Sequence, residues 1–114
     1  MKDDSVFLKH ILENIDDISE FTKNITKKDF LSNKEKQNAV VRSLEVIGEA
    51  AKNISETMKE KYPKVPWKEI IGTRDKIIHH YFGVDLDIVW DIIKINLPDL
   101  NKNIKKIITE LEIM

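Results

Sequence analysis

Apolar residues recur at the spacing of an α-helix through most of this chain, and that periodicity constrains the fold more than any other feature. Each helical residue turns by about 100°, so apolar side chains three or four positions apart share one face. The first such face is formed by Phe7, Ile11, Ile15, Ile18, Phe21 and Ile25. The second is formed by Val40, Leu44, Ile47, Ala51, Ile54 and Met58. No segment keeps the alternation that is typical of a strand, so the sequence predicts an all-α fold.

Polar residues mark where the first two helices begin. A carboxylate or hydroxyl within residues 3–5 can cap the first helix, and a polar turn is expected at residues 26–31. Ser32 and Glu35 match a capping box, which predicts a second helix that continues to about Lys61. Small side chains on this helix would let a neighbouring helix approach closely, and they are Gly48, Ala50 and Ala51.

Proline, glycine and aspartate set the limits of the remaining predicted helices. Pro66 suits the first position of a third helix, which is expected to run to about Phe82 and to stop at Gly83. Asp85 can cap a fourth helix. Pro98 is expected to break that helix and to begin a fifth, because proline removes a backbone donor.

Composition narrows the classes of protein to which the chain can belong. Its 114 residues, 41% of them hydrophobic, predict a single domain over residues 1–114 that folds as an antiparallel bundle of four to five helices. The chain has no cysteine, which excludes thiolate catalysis and disulfide scaffolds. A formal net charge of -1 argues against a broad basic surface, although a local basic cleft stays open. We expect a cytoplasmic protein without a membrane contact, because the N-terminal segment MKDDSVFLKH is too charged for a signal peptide and no apolar run approaches the roughly 20 residues that span a bilayer.

The stretch RDKIIHHYFGVD, from Arg74 to Asp85, places polar side chains inside the apolar third helix. On a straight helix Arg74 falls near the middle of the apolar face, where a guanidinium needs a charged partner or an open cleft. Asp75 and His79 would form a pair four positions apart, in which the carboxylate can orient the imidazole. Arg74 and His79 would point about 140° apart. They meet only if the arginine reaches round, the helix end distorts, or a second copy of the chain supplies the facing group.

Two interpretations of this stretch stay open on the residues alone. In the first, Arg74 is structural and pairs with Glu45 or Glu49, while the histidines only complement the helix dipole. In the second, the stretch forms a polar site at an interface. Other chemistries fit less well, because the adjacent His79 and His80 point to different faces of a helix and no phosphate-binding glycine pattern is present.

Arg74, His79 and Tyr81 match the R-x4-H-x-Y motif of the HepT toxins, a branch of the HEPN superfamily. The segments RSLEVIGEAAKNI and PWKEIIGTRDKIIHHYFGVDLDIVW resemble the second-helix signature and the central block of that branch. The resemblance implies a HEPN helical bundle that forms a homodimer, with both Arg–His motifs facing a shared cleft. It also implies a metal-independent endoribonuclease without a cofactor, which cuts RNA but not DNA because its reaction requires the ribose 2′-hydroxyl.

The same resemblance implies a role for each residue of the motif. His79 would act as general base or acid, Arg74 would bind the phosphate, and Asp75 would orient His79. The implied partner is a minimal nucleotidyltransferase antitoxin (MntA) that transfers AMP from ATP to Tyr81 and so blocks RNA entry. Two other hypotheses stay open, namely a non-catalytic helical subunit that binds a nucleotidyltransferase, and a helical homodimer with an unrelated binding role.

Overall fold

The computed structural model describes residues 3–79 and 83–113. In chain order its helices are α1 (Asp4–Phe21), α2 (Lys27–Leu31), α3 (Lys34–Lys52), α4 (Glu56–Lys61), α5 (Trp67–Ile71), α6 (Thr73–Ile77), α7 (Leu86–Asp91) and α8 (Leu97–Ile113). A two-stranded hairpin, β1 (Ile78–His79) and β2 (Gly83–Val84), separates α6 from α7, and a π-helical segment, Ile92–Asn96, joins α7 to α8. The prediction of an all-α fold is confirmed, because the two strands of the hairpin have only two residues each and all the other regular elements among the described residues are helical.

The core is built from the apolar faces of the three long helices. Helix α1 packs against both α3 and α8. The largest fully buried side chains of these helices are Leu8, Ile11, Ile18, Val40, Ile104 and Ile107. Burial of each such side chain contributes roughly 1.5–3 kcal/mol, more than a helix cap of about 1 kcal/mol. The apolar periodicity therefore outweighs local capping in deciding which elements form.

The first helices begin near the predicted places, and the first of them has a predicted cap. Asp3 caps α1 by accepting a hydrogen bond from the Ser5 amide at 3.1 Å, as predicted. The predicted capping box at Ser32 is wrong, because Asn33 caps α3 and Ser32 ends α2. A capping box does form between Thr26 and Asp29, within the segment predicted as a polar turn. There the burial of Phe30 stabilises the short helix α2.

The predicted second helix is interrupted before it reaches Lys61. Helix α3 ends at Lys52, and the Asn53 side-chain amide donates a hydrogen bond to the Glu49 carbonyl at 2.9 Å. Ser55 then caps α4, while its own amide and hydroxyl donate to the Asp4 carboxylate at 2.8 and 2.7 Å. Such side-chain bonds offer the backbone an alternative to continued helix, which explains the break.

The prediction of one continuous third helix from Pro66 to Phe82 is also wrong. The helix is interrupted at Gly72, and α6 ends at Ile77. Ile78 then pairs with Val84 and His79 with Gly83 in the hairpin. Isoleucine, histidine and tyrosine are weaker helix formers than leucine or alanine. Gly83 does adopt the predicted left-handed conformation, with φ of 78°, but in a strand of the hairpin and not at a helix end.

The last two predicted helices join into one continuous helical stretch. Asp85 caps α7 as predicted, by accepting a hydrogen bond from the Ile88 amide at 3.1 Å. Pro98 does not break the helix. The preceding π-helical turn, in which the Leu97 amide bonds to the Ile92 carbonyl, widens the backbone. This widening accommodates a proline ring that would collide with the carbonyl four positions earlier in a regular α-helix.

Two further features complete the description of the fold. The Tyr62 hydroxyl donates a hydrogen bond to the Glu110 carboxylate on α8, and this bond raises the pKa of Tyr62 above its usual value. Within residues 3–79 and 83–113, no helix is long and apolar enough to cross a membrane.

Gly48 allows α5 to lie close to α3, so enlarging its side chain should destabilise the protein. A Cβ atom at Gly48 would lie 3.3 Å from the Ile70 carbonyl oxygen, and larger side chains would collide with that backbone. We expect Gly48→Leu to lower the free energy of unfolding by about 1–3 kcal/mol, measured by urea denaturation. The control Asn38→Leu, on the exposed face of α3, should change it by less than about 0.5 kcal/mol. Equal stability of the two variants would contradict the close packing.

Candidate active site

Arg74 lies on the short helix α6 with 66% of its side chain exposed. The prediction that it sits in the middle of a buried face is therefore wrong. That prediction assumes one straight helix. The helix is in fact interrupted at Gly72, so the apolar face of α5 does not continue in phase into α6. The buried residue of α6 is Ile77, none of whose surface is exposed. The guanidinium thus stands where a ligand in solvent can reach it.

Glu45 of α3 is the acidic partner of Arg74. Its carboxylate oxygen Oε2 lies 3.4 Å from Arg74 Nε, and the glutamate side chain is 31% exposed. The pairing confirms one of the two partners that the sequence suggested for a structural arginine. The closest approach is through Nε, the nitrogen nearest the aliphatic stem. A pair held at this edge leaves the terminal amino groups able to face a phosphate, which a guanidinium binds with two parallel hydrogen bonds.

The Arg74–Glu45 pair lies in an open groove of about 630 Å³ between α3 and α6. The groove, here called the arginine groove, contains three basic and three acidic side chains: Arg42, Lys52, Arg74, Glu45, Glu49 and Asp75. Its formal charge is therefore balanced. The groove as a whole has no excess of positive charge that would attract a long polyanion.

Asp75 lines the same groove and is exposed. The helical spacing on which the predicted pair of Asp75 and His79 depends is absent, because α6 ends at Ile77 and His79 lies in strand β1. For the same reason the angle of about 140° expected between Arg74 and His79 does not apply. A distorted helix end is one of the predicted ways in which these two residues could meet. The end of α6 does depart from a helix after Ile77.

Of the remaining motif residues, the structure describes only the backbone of His79, which pairs with Gly83 across the hairpin. Tyr81 lies outside the described residues, as does His80. Over the part of the chain that is described, no three histidine, aspartate or glutamate side chains come close enough together to hold a metal ion. The roles of Arg74, His79, Asp75 and Tyr81 remain predictions.

Comparison with known proteins resolves the family. The model of the ribonuclease HepT-like family matches residues 11–107. This chain belongs to the HepT-like family. The resemblance that the R-x4-H-x-Y motif indicated is therefore confirmed.

Several relatives of this HepT-like chain are similar over nearly its whole length. Two proteins of Methanocaldococcus jannaschii, named Putative RNase MJ0127 and Putative RNase MJ1216, are 51% and 50% identical over 111 residues, which is 97% of this chain and 92% of each relative. A Thermococcus cleftensis protein named Probable ribonuclease HepT is 46% identical over 101 residues, 89% of this chain and 92% of that protein. No solved structure matches the chain.

The exposure of Arg74 predicts that the arginine contributes little to folding. An exposed ion pair is worth about 0–1 kcal/mol, since solvent screens the charges. We expect Arg74→Ala to lower the free energy of unfolding by less than about 1 kcal/mol in urea denaturation. A double-mutant cycle with Glu45→Ala should give a coupling energy of similar size. A loss above about 3 kcal/mol, typical of a broken buried pair, would show that Arg74 is a structural residue.

Proposed function

We propose that this protein is the toxin of a toxin–antitoxin pair, and that it is a metal-independent endoribonuclease acting at a cleft between two copies of the chain. The observation that carries the proposal is the solvent-exposed guanidinium of Arg74, held at its Nε edge by Glu45. Membership of the HepT-like family and relatives named as RNases support RNA as the substrate. An exposed ion pair of this kind contributes only about 0–1 kcal/mol to folding, so stability alone does not explain the arginine.

The proposed reaction is cleavage of RNA by its own ribose. His79 accepts the proton of a 2′-hydroxyl, whose oxygen attacks the adjacent phosphorus as the bond to the 5′-oxygen breaks. The products are a 2′,3′-cyclic phosphate and a 5′-hydroxyl, the latter receiving a proton from a histidine. Arg74 binds the non-bridging oxygens, where negative charge grows in the transition state. Asp75, at the edge of the same groove, supports the charged imidazolium.

Two copies of the chain complete the proposed site. The arginine groove is open, and a single copy leaves Arg74 mostly exposed to water. A second copy facing this groove would exclude solvent and strengthen the attraction between Arg74 and a phosphate. It would also supply a second Arg–His motif, so that the two motifs line one cleft.

The proposed antitoxin is a minimal nucleotidyltransferase that modifies Tyr81. The tyrosine hydroxyl loses its proton, its oxygen attacks the α-phosphorus of ATP, and pyrophosphate leaves, so that AMP is attached to the phenolic oxygen. The added phosphate introduces negative charge seven positions along the chain from Arg74 and, in this proposal, competes with RNA for the guanidinium. Modification therefore inactivates the toxin by occupying the group that RNA needs.

Single substitutions separate catalysis from simple binding. In the presence of EDTA, we expect wild-type protein to cut a transfer RNA or messenger RNA. We expect His79→Ala and Arg74→Ala each to cut at least about 100-fold more slowly. The matched controls are His10→Ala and Lys105→Ala, which remove the same kinds of side chain from α1 and α8. The measurement is the initial rate of cleavage on denaturing gels.

Three results would contradict the proposal. Equal rates for wild type, Arg74→Ala and His79→Ala would show that the motif is not catalytic. Absence of cleavage by wild type in EDTA, with recovery on addition of a divalent metal, would overturn the metal-independent reaction. Absence of cleavage under all conditions, with tight binding to a nucleotidyltransferase, would favour the non-catalytic subunit instead.

Mass spectrometry of the intact protein measures the modification of Tyr81. Incubation with the partner nucleotidyltransferase and ATP should add whole AMP units to wild-type protein and to Tyr62→Phe, and none to Tyr81→Phe. Tyr62 is the control because it is the other tyrosine of the chain, and its hydroxyl is already bonded to Glu110. RNA cleavage should fall in proportion to the modified fraction. AMP on Tyr81→Phe, or full activity of the modified protein, would contradict this regulation.

A further inference from the structure

A second groove lies on the other side of α6 from the arginine groove. Its volume is about 420 Å³. Its floor is apolar and consists of Leu44, Ile47, Ile70, Ile92, Leu97 and Leu100. These side chains also belong to the buried core, so the floor is held rigidly by the packing of α3, α5 and α8. A flat apolar ligand could rest there without rearrangement of the fold.

The rim of this second groove is basic. Lys64, Lys76 and Lys102 line it, together with Glu69 and Asp99. All three lysines are exposed, and no acidic side chain among the described residues lies within ion-pair distance of their ammonium groups. The rim and its apolar floor are here called the lysine groove. Three lysines and two carboxylates give its rim a net formal charge of +1. The arginine groove has no such excess.

The two grooves adjoin across one helix. Leu44 lines both of them, and α6 forms the wall between them. Arg74 of α6 lines the arginine groove, whereas Thr73 and Lys76 of the same helix line the lysine groove. A chain molecule that places one phosphate at Arg74 can thus continue over α6 with its next units in the lysine groove.

Backbone geometry also distinguishes the lysine groove. Ile92 and Asn96, the first and last residues of the π-helical segment, both line it. π-Helical turns are rare and frequently occur at functional sites. Here the turn brings the Asn96 side chain to the rim, where Asn103 of α8 also lies. An amide offers both a donor and an acceptor, which suits the edge of a nucleobase.

We propose that the lysine groove binds nucleotides of single-stranded RNA that flank the scissile phosphate. A base rests on the apolar floor, the amides of Asn96 and Asn103 contact its edge, and Lys76 and Lys102 bind flanking phosphates. This inference rests on the proposed function and extends it from one phosphate to a strand. Charge complementarity favours RNA over a protein partner, because free lysines around a small apolar floor suit a base joined to phosphates.

The test compares two double variants that lose the same charge. Lys76→Ala/Lys102→Ala removes two lysines of the groove. Lys68→Ala/Lys105→Ala removes two exposed lysines that line other depressions of the surface. Both are made in a His79→Ala background, so that labelled single-stranded RNA of about ten nucleotides stays intact during measurement of fluorescence anisotropy. Thermal unfolding of both proteins checks that they remain folded.

We expect the groove variant to bind this RNA roughly three- to tenfold more weakly, and the control to bind as the parent does. The slope of log affinity against log salt concentration should fall by about 1.4, since each phosphate contact on a single strand contributes about 0.7. Equal losses in the two variants would overturn the inference. So would a change in sedimentation of the groove variant without RNA, which would show that the groove contacts another protein chain.

Cleavage assays distinguish failure of this inference from failure of the proposed function. If otherwise wild-type protein cuts RNA, and the groove variant matches the control in both binding and KM, only the lysine groove inference fails. If the wild type does not cut RNA but the groove variant still binds it more weakly than the control, the proposed reaction fails and the binding site stands. Asn103→Ala should alter base preference at one flanking position without changing the salt slope.

Discussion

The burial of Ile77 is the interaction on which the position of the candidate site depends. Its side chain is fully buried, α6 packs against α3 and α7, and the Asp85 amide donates a hydrogen bond to the Ile77 carbonyl at 2.7 Å. These contacts fix the end of a helix of only five residues, which could not persist alone in water. Because α6 is fixed, Arg74 can be exposed and still hold a defined place beside Glu45.

Binding is assigned by the two proposals to two surfaces that differ in charge. In the proposed function, the arginine groove, whose charge is balanced, receives one phosphate and stabilises charge in the transition state. In the further inference, the lysine groove, with a net formal charge of +1 beside an apolar floor, binds the flanking strand. A net charge of -1 for the whole chain is compatible with both, because binding depends on local potential within about a Debye length.

Much of this architecture could be predicted from the sequence, and the errors have physical causes. Core positions such as Ile11 and Ile104 follow directly from apolar periodicity, and the motif around Arg74 indicated the family. Helix breaks were missed because they depend on contacts between distant residues, such as the bonds from Ser55 to Asp4. The exposure of Arg74 was missed because a helical wheel assumes one continuous helix. The lysine groove could not be seen at all, since its lysines come from three separate segments.

The most direct test of the central claim is the chemistry of the cleaved ends. An RNA cut by this protein in EDTA should carry a 2′,3′-cyclic phosphate on the upstream fragment and a 5′-hydroxyl on the downstream fragment, as read by mass spectrometry. The same RNA with a single 2′-deoxyribose at the scissile nucleotide should not be cut there. Cleavage at the deoxyribose, or a 5′-phosphate on the downstream fragment, would contradict attack by the ribose hydroxyl and with it the proposed role of His79 and Arg74.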